Sequence, residues 1–177
     1  MPKITKLLKK KLFYFLIIIF GIIFSLFNND KLIKNPKNIN NNILKIVKVI
    51  DGDTIELNNG KRVRYIGIDA PEINNRKNPD CYGKEAKEFN KNLVLNKKVR
   101  LEKDVSESDK YKRLLRYVYV INESTTSAIF INEELVKRGF AVVSTYPPDI
   151  KHVDSFLKAQ EYARKNNLGL WSKCKLL

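Results

Sequence analysis

Near the start of the chain stand sixteen consecutive residues without a charge, Leu12 to Phe27 (LFYFLIIIFGIIFSLF), directly after Lys3, Lys6, Lys9, Lys10 and Lys11. A segment apolar on every face does not suit a helix with one buried side. A basic stretch followed by an apolar one is the pattern of an export signal or signal anchor over residues 1–27. As a helix the run spans about 24 Å. That is slightly short of a hydrocarbon core of about 30 Å, a gap that flanking lysines close by snorkelling. No small-residue cleavage signature follows, which favours an uncleaved anchor over a cleaved signal. The lysines ahead of the run place the N-terminus in the cytoplasm and the remainder outside; the product is membrane-anchored, or secreted if the signal is cut. Residues 28–42 (NNDKLIKNPKNINNN) are rich in Asn, lack periodicity and read as a flexible linker.

From Ile43 the pattern changes, and a domain is predicted over 43–174. ILKIVKVI (43–50) reads as a strand, Asp51-Gly52-Asp53 interrupts it, and Thr54 to Leu57 resumes it. Asn58-Asn59-Gly60 is a hairpin signal, returning through a third strand, Lys61 to Ile68. Asp69 to Cys81 reads as a loop. Ala86, Phe89 and Leu93 fall at helical spacing and predict a helix over Tyr82 to Leu95. Strands follow at Val99 to Lys103 and Leu114 to Ile121, separated by a polar loop. Asn132 is positioned to cap a short helix, with Glu133 and Glu134 in its first turn and Gly139 at its end. A last helix runs from Asp149 to Asn167, closed by Gly169. This order, β-β-β-α-β-β-α-α, is an α+β arrangement compatible with a five-stranded OB-fold barrel carrying three helices.

The chain carries 34 Lys and Arg against 19 Asp and Glu, a net charge of +15. Eight lysines and one acid fall within residues 1–42, so the domain is basic in its own right. A polyanionic partner fits, nucleic acid or an anionic membrane surface; a lysine-rich compositional bias explains the count equally well. The two cysteines, Cys81 and Cys174, are too few for a zinc site or a disulfide framework. In an oxidising exterior they can bridge and tie down the tail; two free thiols are the alternative.

Asp51, Asp53, Asp69 and Glu72 flank predicted strand ends. If the second and third strands pair through the hairpin, Asp53 and Asp69 reach the same sheet edge. Carboxylates converging there repel unless a cation lies between them. Oxygen ligands without His or Cys point to Ca²⁺ or Mg²⁺ rather than zinc. Arg64 and Asp69, five residues apart, reach one face only if the strand twists or bulges. Arg64 and Arg113 suit phosphoryl chemistry, because a guanidinium fork binds two phosphate oxygens and stays charged. Each residue taken singly also has a plain reading: a turn, a loop acid or a solvated arginine. His152 reads as a surface residue, and Trp171 as a helix-docking one.

The motifs act together. VIDGDTIEL, RYIGIDAPE, YGKEA, DKYKRLLRY, LVKRGFA and GLW occur in order over Ile43 to Trp171, and the domain resembles the thermonuclease (staphylococcal nuclease-like) family. The resemblance implies a calcium-dependent phosphodiesterase cutting DNA and RNA, single-stranded or locally melted, to 3′-phosphate products, and acting as a monomer. It implies Asp53, Asp69 and the Ala70 carbonyl as Ca²⁺ ligands, Glu72 as the group activating water, and Arg64 and Arg113 as holders of the scissile phosphate. Lys110 and Tyr111 match residues near the terminal phosphate, and Tyr146, within VSTYPP, falls near the base-stacking platform. Lys112 departs from the family's usual Gly; it either shifts the loop presenting Arg113 or adds a phosphate-facing charge. Two other classes compete. A non-catalytic OB-fold nucleic-acid-binding module would be expected to lack some of these acids or arginines. A basic protein lying on anionic lipid explains the charge but not the carboxylates.

Overall fold

A computed structural model describes residues 44–73, 80–122 and 127–174, all within the unit Asn42–Leu177. The expected anchor and linker, residues 1–42, lie outside the described residues. Among the described residues no helix is long and apolar enough to cross a membrane.

The domain is α+β. Strand β1 (Ile46–Val49) pairs antiparallel with β2 (Thr54–Leu57), and β2 with β3 (Arg62–Tyr65). The hairpin between β2 and β3 turns at Gly60, φ +78°, and Asn59 Oδ1 accepts the Lys61 N–H at 3.1 Å. The chain turns again at Ile66-Gly67 into the two-residue β4 (Ile68–Asp69). Helix α1 (Gly83–Val94) buries Ala86, Asn90 and Val94, one stripe at helical spacing. Strand β5 (Val99–Glu102) pairs antiparallel with β6 (Leu114–Ile121), and β6 lies parallel to β3, so the sheet is mixed. Strand β7 (Ala128–Phe130) extends it. Helix α2 (Ile131–Lys137) leads to β8 (Val142–Val143), which pairs with β4. Helices α3 (Val153–Lys165) and α4 (Leu170–Lys173) close the chain. The order is β1-β2-β3-β6-β5, with β7 on β6. An antiparallel bridge, Lys45 to Lys98, joins the chain ahead of β1 to the chain ahead of β5.

The core lies between the sheet and the helices. Ile46, Ile55, Val63, Tyr65 and Val118 from the strands are sealed by Leu135 and Phe156 from the helices. Removing such surfaces from water supplies the main driving force for the fold.

Several expectations change. The three helices are present, with the four-residue α4 in addition. Among the described residues the strands form a mixed sheet of six and a separate pair. The third predicted strand breaks at Gly67 (φ +79°). Asn132 is no cap. It is fully buried, accepting the Val118 N–H and donating to the Ile66 carbonyl, both at 2.9 Å, so tertiary partners outcompete the local one. Helix α3 starts at Val153 rather than Asp149, because Tyr146 to His152 are spent on turns and a bridge. Gly169 opens α4 rather than closing a helix. His152 is not a surface residue. It is half-buried among Tyr117, Phe130 and Phe156, with Nε2 3.0 Å from Glu102 Oε1. Cys81 and Cys174 are bonded. Trp171 packs partly buried beneath the Arg164 guanidinium, 5.1 Å from its ring centre.

Candidate active site

The acid loop begins with a close approach. A Cβ added at Gly52 would lie 2.4 Å from Ala70 Cβ and 3.1 Å from Ala86 Cβ, so only glycine lets the loop pass between β4 and α1. Asp51 Oδ1 accepts the Asp53 N–H at 3.0 Å, and Asn90 of α1 donates to the Asp51 carbonyl at 3.3 Å. Tyr65 in turn donates to Asn90 Oδ1. These bonds satisfy a polar segment that is otherwise out of water.

Asp53 is 2% exposed. Its Oδ2 accepts the Ala70 N–H at 2.7 Å and lies 2.8 Å from Arg64 Nη1; its Oδ1 accepts from Thr54 Oγ1 at 3.2 Å. Arg64 Nη2 reaches Asp69 Oδ1 at 2.5 Å, and Nη1 also donates to the Ile68 carbonyl at 2.9 Å. One guanidinium therefore joins Asp53 and Asp69. Arg64 and Asp69 meet because the chain turns at Gly67, not because a continuous strand bulges. Burial raises the Asp53 carboxyl well above the usual range despite Arg64 beside it, and Asp51 and Asp69 push the same way.

Glu72 is an exposed residue, but desolvation of its carboxyl, then Asp51 and Asp69, raise its pKa. Its main chain is gripped: the Glu72 N–H donates to Asp80 Oδ2 at 3.1 Å, and the Asp80 N–H to the Glu72 carbonyl at 2.9 Å.

Arg113 is set by Asp109. Asp109 Oδ2 accepts from Arg113 Nε at 2.7 Å, while Oδ1 accepts the N–H groups of Tyr111 and Arg113 at 2.9 and 3.0 Å. Burial would raise the Asp109 pKa, but these bonds outweigh it and lower it. Arg113 Nη1 reaches Thr54 Oγ1 at 3.4 Å, so the hydroxyl that touches Asp53 also touches Arg113. Lys112 has φ +63°, the left-handed conformation that favours glycine. The departure from glycine therefore leaves the turn in place, held by Lys112 N–H to the Asp109 carbonyl and Asp109 N–H to the Arg113 carbonyl.

Two clefts meet at Tyr111 and Arg113. One, of about 590 Å³, is lined by Arg64, Lys110, Tyr111, Arg113 and Tyr146 among others. The other, of about 700 Å³, is lined by Asp51, Thr54, Lys61, Arg62 and Lys112, again with Tyr111 and Arg113. Tyr111 and Tyr146 are 68% and 75% exposed, leaving their rings free to stack on a ligand. Lys110 Nζ lies 5.2 Å, and the Arg113 guanidinium 5.4 Å, from the Tyr111 ring centre.

The structure thus draws Asp53, Arg64, Asp69 and Ala70 into one knot and brings Arg113 within reach through Thr54. Sequence reasoning passed over Thr54, Asp109, Asp80 and Asn90. The four-residue spacing of Asp109 and Arg113 was the one signal available. Among the described residues no three His, Cys, Asp or Glu side chains converge into a metal cage. The donors near Asp53 are hard oxygens, and one guanidinium does not offset the buried negative charge, which fits a further divalent cation.

The family model for staphylococcal nuclease homologues matches residues 62–173. The chain belongs to the staphylococcal nuclease family. It is 38% identical over 139 residues to a thermonuclease of Staphylococcus hyicus, covering 76% of this chain and 79% of that one. It is 36% identical over 157 residues to a thermonuclease of Staphylococcus intermedius, covering 86% and 90%. It is 40% identical over 146 residues to endonuclease YncB of Bacillus subtilis, covering 79% of this chain and 65% of that one. The matched span includes Arg64, Asp69, Ala70, Glu72, Lys110, Tyr111, Arg113 and Tyr146; Asp53 lies ahead of it and is bonded to Ala70 and Arg64.

Proposed function

We propose that the chain is a calcium-dependent nuclease that hydrolyses DNA and RNA to 3′-phosphate products. The observation that carries the reading is the joining of Asp53 and Asp69 by Arg64 beside a cleft that Arg113 also lines. Asp53, Asp69 and the Ala70 carbonyl would hold the cation. When bound, Ca²⁺ supplies charge neutralisation at the phosphate and orientation of the attacking water. Arg64 and Arg113 bind the non-bridging oxygens and keep their charge as negative charge grows there. Glu72, whose pKa is raised by desolvation and then by Asp51 and Asp69, takes a proton from water as the water oxygen bonds to phosphorus. The bond from phosphorus to the 5′ oxygen breaks, that oxygen takes a proton from solvent and leaves as a hydroxyl, and the phosphate stays on the 3′ oxygen. Lys110 and Tyr111 meet a terminal phosphate, and Tyr146 offers a ring to a base. These contacts go to phosphates and base faces, so little sequence preference is expected.

The sheet order and the Lys45–Lys98 bridge support reading the domain as an OB-type barrel. The Cys81–Cys174 bond supports a domain outside the cytoplasm, anchored or released, because disulfides persist in oxidising compartments.

The test incubates the full chain with single-stranded DNA or RNA, with calcium and then with chelator, and reads the product ends. Calcium-dependent cleavage leaving 3′-phosphates is expected. Binding without cleavage would make the domain a nucleic-acid-binding module instead.

A further inference from the structure

Glu72 is exposed and belongs to neither a strand nor a helix. A carboxylate that must meet one water molecule needs its main chain fixed, because a displacement of about 1 Å costs on the order of a hundredfold in rate. Asp80 supplies a grip on both polar groups of that residue. Its side chain accepts the Glu72 N–H and its own N–H donates to the Glu72 carbonyl. The grip continues into α1: the Gly83 N–H donates to the Asp80 carbonyl at 3.0 Å, and a Cβ at Gly83 would lie 2.7 Å from the Glu72 carbonyl oxygen.

Asp80 is itself anchored through its neighbour. Cys81 is bonded to Cys174, 93 residues away, at the end of α4. That end is firmly seated. Leu170 is 2% exposed and its N–H donates to the Gly139 carbonyl at 2.8 Å. Gly139 and Gly169 approach so closely that a Cβ on either would fall 2.2 Å from the other segment's backbone.

We infer that Asp80 is a positioning residue for Glu72, and that the Cys81–Cys174 bond holds Asp80 in place by tying it to the docked C-terminal segment. The inference rests on the proposed role of Glu72. Asp80 touches no substrate in this scheme; it acts by presenting the Glu72 main chain. The requirement is an acceptor at the Asp80 side chain, not its charge, and asparagine supplies that acceptor.

The experiment compares Glu72→Gln, Asp80→Ala and Asp80→Asn in the full chain, measuring kcat and KM on single-stranded DNA with calcium, and thermal unfolding. Asp80→Ala is expected to lower kcat by roughly ten- to a hundredfold. Its KM is expected to stay within about twofold of wild type. Asp80→Asn is expected to recover most of the rate. If Glu72→Gln is fully active, the catalytic role of Glu72 falls, and this inference with it. If Glu72→Gln is inactive while Asp80→Ala is fully active, only the positioning role is overturned. It is also overturned if Asp80→Asn is as impaired as Asp80→Ala. Should Asp80→Ala fail to fold, reduction of the disulfide in folded wild type becomes the readout. A fall in kcat reversed by reoxidation supports the inference, and an unchanged kcat overturns it.

Discussion

Asp109 holds Arg113 from two directions: one carboxylate oxygen accepts from the guanidinium Nε at 2.7 Å, and the other accepts the backbone N–H of the same residue at 3.0 Å. The arginine is therefore aimed as well as placed. Asp109→Ala removes both bonds and frees a long side chain to sample several rotamers. The expected result is a fall in kcat/KM of about ten- to a hundredfold. Asp109→Asn keeps an acceptor for the backbone groups but loses the charged pairing, and should fall between wild type and alanine. Steady-state kinetics of the three proteins check the ranking. Equal activity in all three would mean that Arg113 orients itself without help.

Gly67 makes the meeting of Arg64 and Asp69 possible. Its φ is +79°, and a Cβ there would lie 2.6 Å from Cε2 of Phe156, a side chain with no exposed surface. The ring is packed on all sides and cannot yield cheaply. Gly67→Ala should cost about 2–4 kcal/mol of stability from left-handed strain and overpacking together. Denaturant unfolding measures this. Activity should drop alongside, since the turn joins the two residues of the ion pair. A loss well under 1 kcal/mol would show that Phe156 moves aside more easily than its burial implies.

Local chemistry was legible in the sequence, and long-range pairing was not. The Asn58–Gly60 hairpin and the Asp51-Gly52-Asp53 break follow from turn residues and appear where expected. Helix α1 was visible from Ala86, but its buried Asn90 was not. A polar residue in a core stripe makes sense only once Tyr65 and Asp51 are seen as its partners. Strands β4 and β8 are two residues each and exist because Ile68 meets Val143 across the fold, a pairing no local window contains. Asn132 obeys the capping pattern but is spent on Val118 and Ile66. The candidate acids and arginines stood out through motifs read together in order along the chain, since each taken singly also fits a turn, a loop acid or a solvated arginine. Asp80 carries no local pattern, and Asp109 offered only its four-residue spacing from Arg113, so the bonds by which they hold Glu72 and Arg113 needed the fold to be seen.

Lys112 trades backbone comfort for charge. At φ +63° a lysine bears a left-handed cost of roughly 1–2 kcal/mol that glycine escapes, offset in part by glycine's greater freedom when unfolded. Lys112→Gly should therefore stabilise the domain by up to about 1 kcal/mol. The lysine also lines the cleft beside Arg113. Its loss should weaken substrate binding and reduce the salt dependence of KM by the equivalent of about one phosphate contact. Thermal unfolding and a salt series on a single-stranded oligonucleotide separate the two effects. A destabilised glycine variant with an unchanged salt slope would contradict both parts.

Glu102 sets an acid limit on stability. Its Oε1 lies 2.7 Å from Lys151 Nζ and 3.0 Å from His152 Nε2, and its Oε2 lies 3.5 Å from Arg100 Nη1, with Tyr119 also beside it. Burial would raise its pKa, but the bonds from Lys151 and His152 outweigh that and hold it down to about 2. A carboxyl depressed in the folded state binds its proton more tightly when unfolded. Its contribution is therefore complete above the ordinary glutamate range and is lost as pH falls from about 4.5 toward about 2. At pH 6, Glu102→Gln should cost about 1–2 kcal/mol, the lower part of the range for charged hydrogen bonds because the site is partly open to solvent. The gap between wild type and variant should narrow steadily below pH 4.5 and close near pH 2. Denaturant unfolding of both proteins across that range checks the sign. A gap that stays constant to pH 2 would mean that Glu102 acts there through packing rather than through its charge.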